Sequence, residues 1–390
     1  MSGLALPPLA LYVHMPWCVR KCPYCDFNSH AIGSEMPERE YVTALLDDLE
    51  QDLDAVQGRE LVSIFFGGGT PSLFSPESIA EIVSGVRQRV RCAPDVEITL
   101  EANPGTIEHG RFRGYKAAGV TRVSLGAQSF DDRHLKALGR IHGAGDIERA
   151  VEELQRAGFE NFNLDLMYAL PDQRLDEAVA DIRRALSLEP AHISHYQLTL
   201  EPGTVFFHRP PPLPDQDASW EMQQACTALL AEHGYEQYEV SAYARAGRQC
   251  KHNLNYWQFG DYIGIGAGAH GKLTDVARKQ IVRTVRHRQP RDYLRRQGSD
   301  RTSERRIVAA DELAFEFMLN VLRLRIGFAA SEFEARTGVA LDAIREPLER
   351  AIAQGLLVRQ GDRWRPTDRG HLFLNDLQAL FLPPDESPKA

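Results

Sequence analysis

Three cysteines near the start of the sequence have the spacing of a metal-cluster loop. Cys18, Cys22 and Cys25 are separated by three and then two residues. Thiolates this close together can ligate three irons of a [4Fe–4S] cube and leave the fourth iron open to a small molecule. The alternatives are a three-thiolate zinc site or a group of reduced surface thiols. Zinc usually takes thiols in two-residue pairs with a fourth protein ligand, so the spacing favours an iron–sulfur cluster.

A glycine run and several polar side chains stand at the ends of apolar segments. Residues 67–69 are glycines that directly follow the run LVSIFF and precede Thr70. Glycine lets a backbone approach a ligand closely. The polar side chains that end or follow apolar runs are Glu101, Gln128, Arg140 and Asp165. Because unpaired charge is costly in such places, each either contacts a ligand or joins an ion pair, Arg140 with Glu101 or Asp165.

Motifs along most of the chain resemble one protein family. They are LYVHMPWC, CPYCDFNSH, IFFGGGTPS, EANPG, RVSLGAQSF, LGRIH, FNLDLMYALP, HNLNYW and YIGIGAGAHG. The pattern CxxxCxxC, with Tyr24 before its last cysteine, resembles the radical S-adenosylmethionine (SAM) superfamily. The whole set, from Leu11 to Phe381, resembles the HemW haem chaperones, which are similar to the oxygen-independent coproporphyrinogen III dehydrogenases (HemN).

This resemblance implies a [4Fe–4S] cluster, SAM and haem as ligands. SAM is expected to chelate the open iron through its amino and carboxylate groups. The residues at positions that match SAM contacts of the family are Tyr12, Tyr24, Gly68, Gly69, Thr70, Glu101, Gln128, Arg140 and Asp165. The expected partners are haem and acceptor haemoproteins, including respiratory and membrane-associated ones.

His252 heads the motif HNLNYW and is the candidate haem ligand. An imidazole can be an axial ligand of haem iron, and Tyr256 and Trp257 could pack on a porphyrin face. A structural role is the alternative for this histidine. Cys250 is a weaker candidate, and His270 is expected to be structural or to lie near the cluster.

Two features depart from the dehydrogenases. These enzymes carry a fourth cysteine two positions after the third, where this chain has Phe27. Cys18 lies so near the start that the N-terminal segment of the enzymes is not expected. A haem chaperone is therefore favoured over oxidative decarboxylation of coproporphyrinogen III, and over a radical SAM enzyme with another substrate. Whether SAM is cleaved stays open.

Apolar runs alternate with amphipathic stretches in the first two thirds of the chain. The candidate strands are LALYVHM, LVSIFFG, VEITLEA, TRVSLGA, NFNLDLM and HISHYQLTL. Continuous apolar runs are typical of parallel strands that are covered on both faces. Together with the resemblance, this alternation predicts an α/β fold, a partial (β/α)6 TIM-like radical SAM barrel. Chemistry gathers at the C-terminal strand ends of such barrels, where the motif residues fall.

Four segments are predicted along the chain. Residues 1–215 form the radical SAM core. A Pro-rich loop from Glu201 to Ser219 spans the boundary after it and precedes a helix from Trp220 to His233. Residues 216–300 form an extension across the barrel mouth that includes HNLNYW. Residues 301–382 form a small, mainly helical, winged-helix-like domain. Residues 383–390 form a polar tail that is expected to be disordered.

Composition limits the classes of partner and location. The formal net charge is −9, which argues against nonspecific nucleic-acid binding. The six cysteines have no even spacing, so a disulfide framework is not expected. The sequence shows neither a signal peptide nor a run of about 20 apolar residues. A cytoplasmic location is predicted, with a peripheral position at the inner membrane and a homodimer as options.

Overall fold

Parallel strands that alternate with helices form the centre of the protein. The computed structural model describes residues 3–33, 35–105 and 110–383, so the predicted tail lies outside the described residues except for Pro383. In these residues the strands are β1 (Leu9–Met15), β2 (Trp17–Cys18), β3 (His30–Ala31), β4 (Leu61–Gly68), β5 (Cys92–Ala102), β6 (Arg122–Gln128), β7 (Phe162–Tyr168), β8 (His192–Gln197), β9 (Glu236–Gln237), β10 (Ala242–Ala244), β11 (Asp261–Ile265), β12 (His270–Asp275), β13 (Gln280–Arg286), β14 (Thr302–Ile307), β15 (Phe328–Ala329), β16 (Leu357–Gln360) and β17 (Arg363–Pro366).

The helices cover the strands and build the C-terminal part. In the same described residues they are α1 (Glu38–Glu50), α2 (Leu53–Val56), α3 (Pro76–Arg89), α4 (Arg111–Ala117), α5 (Asp132–Ala137), α6 (Ala144–Arg156), α7 (Leu175–Ser187), α8 (Val205–His208), α9 (Gln216–Glu232), α10 (Lys251–Trp257), α11 (Pro290–Arg295), α12 (Ala310–Val321), α13 (Ala330–Thr337), α14 (Arg345–Ala353), α15 (Asp368–Leu372) and α16 (Leu374–Ala379). None of the helices in the described ranges is long and apolar enough to cross a bilayer.

The six strands predicted from the sequence are confirmed, and their order identifies the architecture. Strands β1, β4, β5, β6, β7 and β8 lie side by side in chain order and run parallel. Chain order from edge to edge is the arrangement of an α/β barrel, whereas a doubly wound sheet reverses its order. Strand β11 lies on the free edge of β1, and β10 lies on the free edge of β8, so the barrel wall is open. The fold is the predicted partial barrel.

The helices that follow the strands pack apolar faces on the barrel wall. The helix α6 buries Ile147, Val151 and Leu154 at helical spacing, which gives it one apolar side. The helix α3 begins where the side chain of Ser75 accepts a hydrogen bond from the Ser78 N–H and Pro76 occupies the first turn. The apolar faces and the helix caps therefore hold these helices against the outside of the barrel, and the C-terminal ends of the strands stay uncovered.

Strands β11 to β14 extend the sheet beyond β1. Strand β11 runs parallel to β1, and β12, β13 and β14 follow it as antiparallel neighbours. Asp261, fully buried at the start of β11, forms ion pairs with Lys272 at 2.9 Å and with Arg59 at 2.8 Å. Since a buried carboxylate without a partner is strongly destabilising, Arg59 ties the start of the extension to the barrel, and Lys272 ties β11 to β12.

A second apolar core consists mainly of residues from Val308 onward, and Phe259 and Ile281 of the preceding extension pack into it. Here α12, α13 and α14 pack with a three-stranded sheet in the order β15, β17, β16. Three helices followed by a two-stranded wing match the predicted winged-helix-like arrangement. Strand β14 belongs to the large sheet, so residues 302–307 pack with the extension although they fall within the predicted segment 301–382. The predicted segment boundaries otherwise stay predictions.

The Pro-rich stretch from Glu201 to Ser219 is only partly a loop. A short helix, α8, lies within it, and α9 begins at Gln216 rather than at Trp220. The Asp215 side chain accepts a hydrogen bond from the Ala218 N–H and so caps α9. The helix can begin here because the last proline of the stretch, Pro214, precedes the cap, and the Asp215 side chain satisfies a free N–H group of the first turn.

Candidate cofactor site

A cavity of about 380 Å³ opens at the C-terminal ends of the parallel strands. It brings together the three cysteines and most of the polar residues that the sequence singles out. From the predicted set its lining contains Cys18, Cys22, Cys25, Tyr24, Gly68, Gly69, Thr70, Glu101, Gln128, Arg140 and Asp165. Tyr12 and His252 do not line it.

The cysteine loop is held at both ends by short backbone pairings. Strand β2, which ends at Cys18, pairs with β3, so residues 19–29 form a closed loop over the strand ends. Thr70 donates to the Cys18 sulfur at 3.5 Å, and Arg140 donates to the Cys22 sulfur at 3.5 Å. Burial raises the pKa of the thiols of Cys18 and Cys25. Metal binding at this loop therefore has to displace thiol protons.

The donor set of this loop fits an iron–sulfur cube better than a single zinc ion. Thiolates bound to one tetrahedral zinc at about 2.3 Å lie roughly 4 Å apart. Among the described residues, the ligand atoms of Asp131, His134 and Glu177 all lie within 4.8 Å of one another. The sulfur atoms of the three cysteines do not form such a close group. The cavity lining also contains neither a histidine nor a fourth cysteine among the residues described. The donor set fits three corners of an iron–sulfur cube.

The glycine run packs against the segment that leads into the cysteine loop. Gly69 N–H donates to the Met15 carbonyl at 2.7 Å, and Thr70 N–H donates to the Trp17 carbonyl at 2.7 Å. A Cβ at Gly69 would lie 2.5 Å from the Trp17 carbonyl oxygen, and Gly68 has φ +115°. Glycine is therefore required here by packing and by backbone conformation, and the exposed edge of the run faces the cavity.

Two carboxyl groups form an acidic wall. Burial and the nearby Asp165 raise the pKa of Glu101 to about 8. Burial also raises the pKa of Asp165, although Ser124 donates to it at 2.9 Å and Asn163 donates to it at 2.8 Å. Glu101 accepts the Gly68 N–H at 3.1 Å. A cation or a hydroxyl-bearing ligand at this wall would relieve the cost of two buried carboxyls.

Arg140 lines the same cavity and does not pair with this wall. Its guanidinium donates to Asn103 Oδ1, to the Gly126 carbonyl at 3.1 Å and to the Cys22 sulfur. Although burial acts to lower it, the neighbouring Tyr24 and Cys22 hold the pKa of Arg140 above its usual value. The alternative of an ion pair with Glu101 or Asp165 is wrong, because Arg140 and the acidic side chains are held by separate hydrogen-bond networks.

Buried polar atoms without partners mark where a ligand would bind. Gln128 Oε1 and Arg140 Nε have no hydrogen-bond partner among the described residues. Gln128 also has φ +64° where the pairing of β6 with β7 shifts register. A non-glycine residue in this region is strained, and such strain next to unpaired polar atoms is typical of a ligand contact.

Sequence reasoning missed two residues that organise the site. Asn103 donates to Thr70 Oγ1 at 3.0 Å and accepts from Arg140, so it joins the glycine run to the cation. Ser124 holds Asp165 from the neighbouring strand. Asn103 follows Glu101 in EANPG, so its position at a strand end is a signal that could have found it. Ser124 lies within a strand and gives no such signal.

Tyr12 and His252 lie behind the wall of this cavity. The Tyr12 hydroxyl hydrogen-bonds with His14 Nδ1 at 3.0 Å. His252 is 3% exposed, its Nδ1 hydrogen-bonds with Ser63 Oγ at 3.0 Å, and its ring stacks on Phe65. Burial lowers the pKa of His252 to about 3. The haem role of His252 stays a prediction, and the structure places this imidazole between α10 and β4.

Comparison with known proteins identifies the family. The profile of the radical SAM superfamily matches residues 12–185, and that of the HemN C-terminal domain matches residues 308–373. The chain is 53% identical to the Heme chaperone HemW of Escherichia coli (strain K12) over 377 residues, which are 97% of this chain and 99% of that protein. The chain belongs to the HemW family of radical SAM proteins.

More distant relatives agree with this assignment. The Heme chaperone HemW of Bacillus subtilis is 34% identical over 95% of this chain and 98% of its own length. The solved structure of coproporphyrinogen III oxidase (HemN) from Escherichia coli superposes with a TM-score of 0.81 at 21% identity, covering 96% of this chain and 90% of that one. The latter likeness shows a shared fold. The predicted family and the predicted fold are both confirmed.

Proposed function

We propose that the protein is a haem chaperone that carries a [4Fe–4S] cluster, binds SAM and delivers haem to acceptor haemoproteins. The observation that carries this proposal is the cavity in which three thiols meet an acidic wall and a guanidinium whose Nε has no partner among the described residues. Membership of the HemW family, whose relatives are named heme chaperones, supplies the haem part.

Cys18, Cys22 and Cys25 would hold the cluster, whose chemistry is electron transfer to a ligand on its open iron. Neighbouring side chains contact the sulfur atoms that would ligate the cluster. Arg140 donates a hydrogen bond to the Cys22 sulfur and places a positive charge beside it. Thr70 donates to the Cys18 sulfur, which favours the thiolate of Cys18.

The two sides of the cavity match the two charged parts of SAM. Its carboxylate suits the positive charge of Arg140, whose Nε has no hydrogen-bond partner among the described residues. Its amino group and ribose hydroxyls suit the wall of Glu101 and Asp165. Gly68, Gly69 and Gln128 offer backbone and amide groups between the two sides. Tyr24 lines the cavity and suits the adenine, and Tyr12 would act from behind Glu101.

An oxygen-independent coproporphyrinogen III dehydrogenase is the competing function. Phe27 occupies the position of the fourth cysteine of those enzymes, and its side chain is 58% exposed on the cavity rim. A large apolar side chain at this exposed point suits contact with a flat apolar ligand. This difference supports haem binding without porphyrinogen turnover.

The test is parallel measurement of cluster content, haem binding and porphyrinogen conversion on anaerobically reconstituted protein. We expect iron and inorganic sulfide in a cube ratio, a stable haem spectrum and no conversion of coproporphyrinogen III with SAM and a reductant. Conversion with repeated turnover would replace the chaperone function by the enzymatic one.

Delivery is a separate step of the proposal. Haem-loaded protein mixed with an apo-haemoprotein should lose its haem spectrum as the acceptor gains one. We propose that this takes place in the cytoplasm, with peripheral contact at the inner membrane when the acceptor is a membrane-associated respiratory haemoprotein. Sedimentation of the loaded and unloaded forms tests whether a homodimer takes part.

A further inference from the structure

A second cavity of about 570 Å³ lies beside the cofactor cavity. The two share Asp26, Phe27, Gly68 and Glu101. The remaining lining comes from β1, the cysteine loop, α10 and the extension strands: Tyr12, His14, Asn28, Tyr256, Tyr262, Gly268, His270, Val285, Arg288 and Glu304. This volume lies within the range of about 300–1,000 Å³ that ligand pockets occupy.

Aromatic rings form much of this lining. Tyr256 and Tyr262 stack with ring centroids 4.1 Å apart, and Tyr12 lines the cavity as well. Phe27 adds an exposed ring on the rim shared with the cofactor cavity. Flat, rigid, largely apolar surfaces of this kind suit a planar aromatic ligand of the size of a porphyrin.

One histidine of the lining is available as a ligand and the other is not. His14 uses both ring nitrogens, Nδ1 with the Tyr12 hydroxyl and Nε2 with the Asn28 carbonyl at 2.8 Å. His270, at the start of β12, is exposed, and its ring makes no hydrogen bond within the described part of the chain. Burial, followed by the charges of Arg283 and Arg288, lowers the pKa of His270. Its ring is therefore in the neutral form that ligates metals.

The charges of the lining give the site a direction. Arg288 is an exposed cation, and the backbone of this residue is fixed because its carbonyl accepts from Asn28 at 2.9 Å. Glu304 is an exposed carboxylate in the same lining. Propionate groups would therefore lie towards Arg288 and away from Glu304.

HNLNYW contributes Tyr256 to this cavity, whereas His252 does not line it. These residues are one helical turn apart on α10, and their rings lie 4.9 Å apart. His252 lies behind the rings of Tyr12 and Tyr256, in contact with Phe65. His270 lines the second cavity and can offer its ring to an iron atom there, whereas the rings of Tyr12 and Tyr256 separate His252 from it.

We propose that the second cavity holds haem against the stacked pair of Tyr256 and Tyr262 and beside Phe27, with the His270 imidazole as an axial ligand of the iron. The site rests on the proposed function, since it names where the chaperone binds its cargo. It also places the porphyrin beside the cofactor cavity, across the shared residues Phe27, Gly68 and Glu101.

The test compares three histidine variants of the full chain in titrations with haemin. His270→Ala should weaken binding by at least about tenfold and change the ligand-field spectrum, since losing even an outer contact of a metal ligand costs about that much. Free imidazole should restore the wild-type spectrum in His270→Ala. His208→Ala removes an exposed histidine of α8 outside both cavities and should bind haemin as the wild type does.

The outcomes separate the site from the function. If the wild type binds haemin and His270→Ala keeps its affinity and spectrum, the site is overturned and the function stands. If haemin binding is lost in His252→Ala but not in His270→Ala, the site is also overturned, and the iron ligand is the buried imidazole of His252. If the wild type binds no haemin, the proposed function itself fails. Cluster content and SAM binding of His270→Ala verify that the variant is folded.

Discussion

The two adjoining cavities differ in how their walls are made. The cofactor cavity is walled by polar side chains that hydrogen-bond one another, such as Asn103 with Thr70 and Ser124 with Asp165. The second cavity is walled by stacked tyrosines and has an exposed imidazole and an exposed guanidinium at its opening. The first is organised for a small charged ligand in one orientation. The second is suited to a large flat ligand, held by contact area and one metal bond.

Removing a cluster ligand should produce the largest effect, and it should abolish binding in the cofactor cavity while the second cavity still binds its ligand. Cys22→Ala takes away one of three thiolates, so we expect the protein to lose the cluster absorbance, the inorganic sulfide and SAM binding. Haemin binding at His270 should remain. Metal and sulfide analysis after anaerobic reconstitution, followed by haemin titration, measures both.

The matched control is Cys92→Ala, which removes a half-buried thiol at the start of β5. It should leave cluster and haemin binding intact. A cluster that survives in Cys22→Ala would show that the ligand assignment is wrong. Loss of haemin binding in the same variant would show that the two cavities depend on each other.

The sequence predicted the cofactor cavity better than its neighbour for a physical reason. Gly68, Glu101 and Gln128 lie at the ends of parallel strands, and such ends meet at one edge whatever the details of packing. The second cavity depends on β11 pairing with β1 across some 250 residues of sequence, as in the register of Tyr12 with Gly264, and no local pattern reports that pairing. The same limit explains why the aromatic motif HNLNYW predicted a ligand histidine without showing which way it faces.

The glycine run should be the next most sensitive position. In Gly69→Ala the added Cβ meets the Trp17 carbonyl oxygen at 2.5 Å, and backbone cannot yield as a flexible side chain can. We expect a loss of about 1–3 kcal/mol in the free energy of unfolding, and weaker SAM binding because Thr70 shifts.

Denaturant unfolding of the full chain measures the first effect, and SAM titration measures the second. Gly33→Ala is the control, since a Cβ there has no heavy atom within 4 Å. Unchanged stability in Gly69→Ala would mean that the run is not packed as described. Unchanged SAM binding alongside reduced stability would make the run structural only.

The acidic wall should make stability depend on pH. The pKa of Glu101 is raised to about 8, so between the usual glutamate range and pH 8 the folded state holds a proton that the unfolded state has lost. The free energy of unfolding must then fall as the pH rises through this window. Glu101→Gln removes the titrating group but keeps an acceptor for the Gly68 N–H, so its stability should fall less over the same window.

Unfolding curves across this pH range, before cluster reconstitution, measure the difference between the two proteins. Glu221→Gln changes an exposed glutamate on α9 and should follow the wild type. If the free energy of unfolding depends on pH in the same way in Glu101→Gln and in the wild type, the raised pKa of Glu101 is contradicted. The cofactor cavity would then not differ from the second cavity by a strained acidic wall.

The smallest effect is expected at Phe27, and it addresses the comparison most directly because this side chain belongs to both linings. Its exposed ring has few protein contacts to lose, so Phe27→Ala should leave stability and cluster content unchanged. An aromatic contact contributes about 0.5–1.5 kcal/mol beyond its buried area, so haemin affinity should fall by a few fold while SAM affinity stays constant. Phe27→Tyr keeps the ring and should bind haemin as the wild type does. If SAM affinity falls more than haemin affinity, Phe27 belongs to the cofactor cavity and does not contribute to haem binding in the second one.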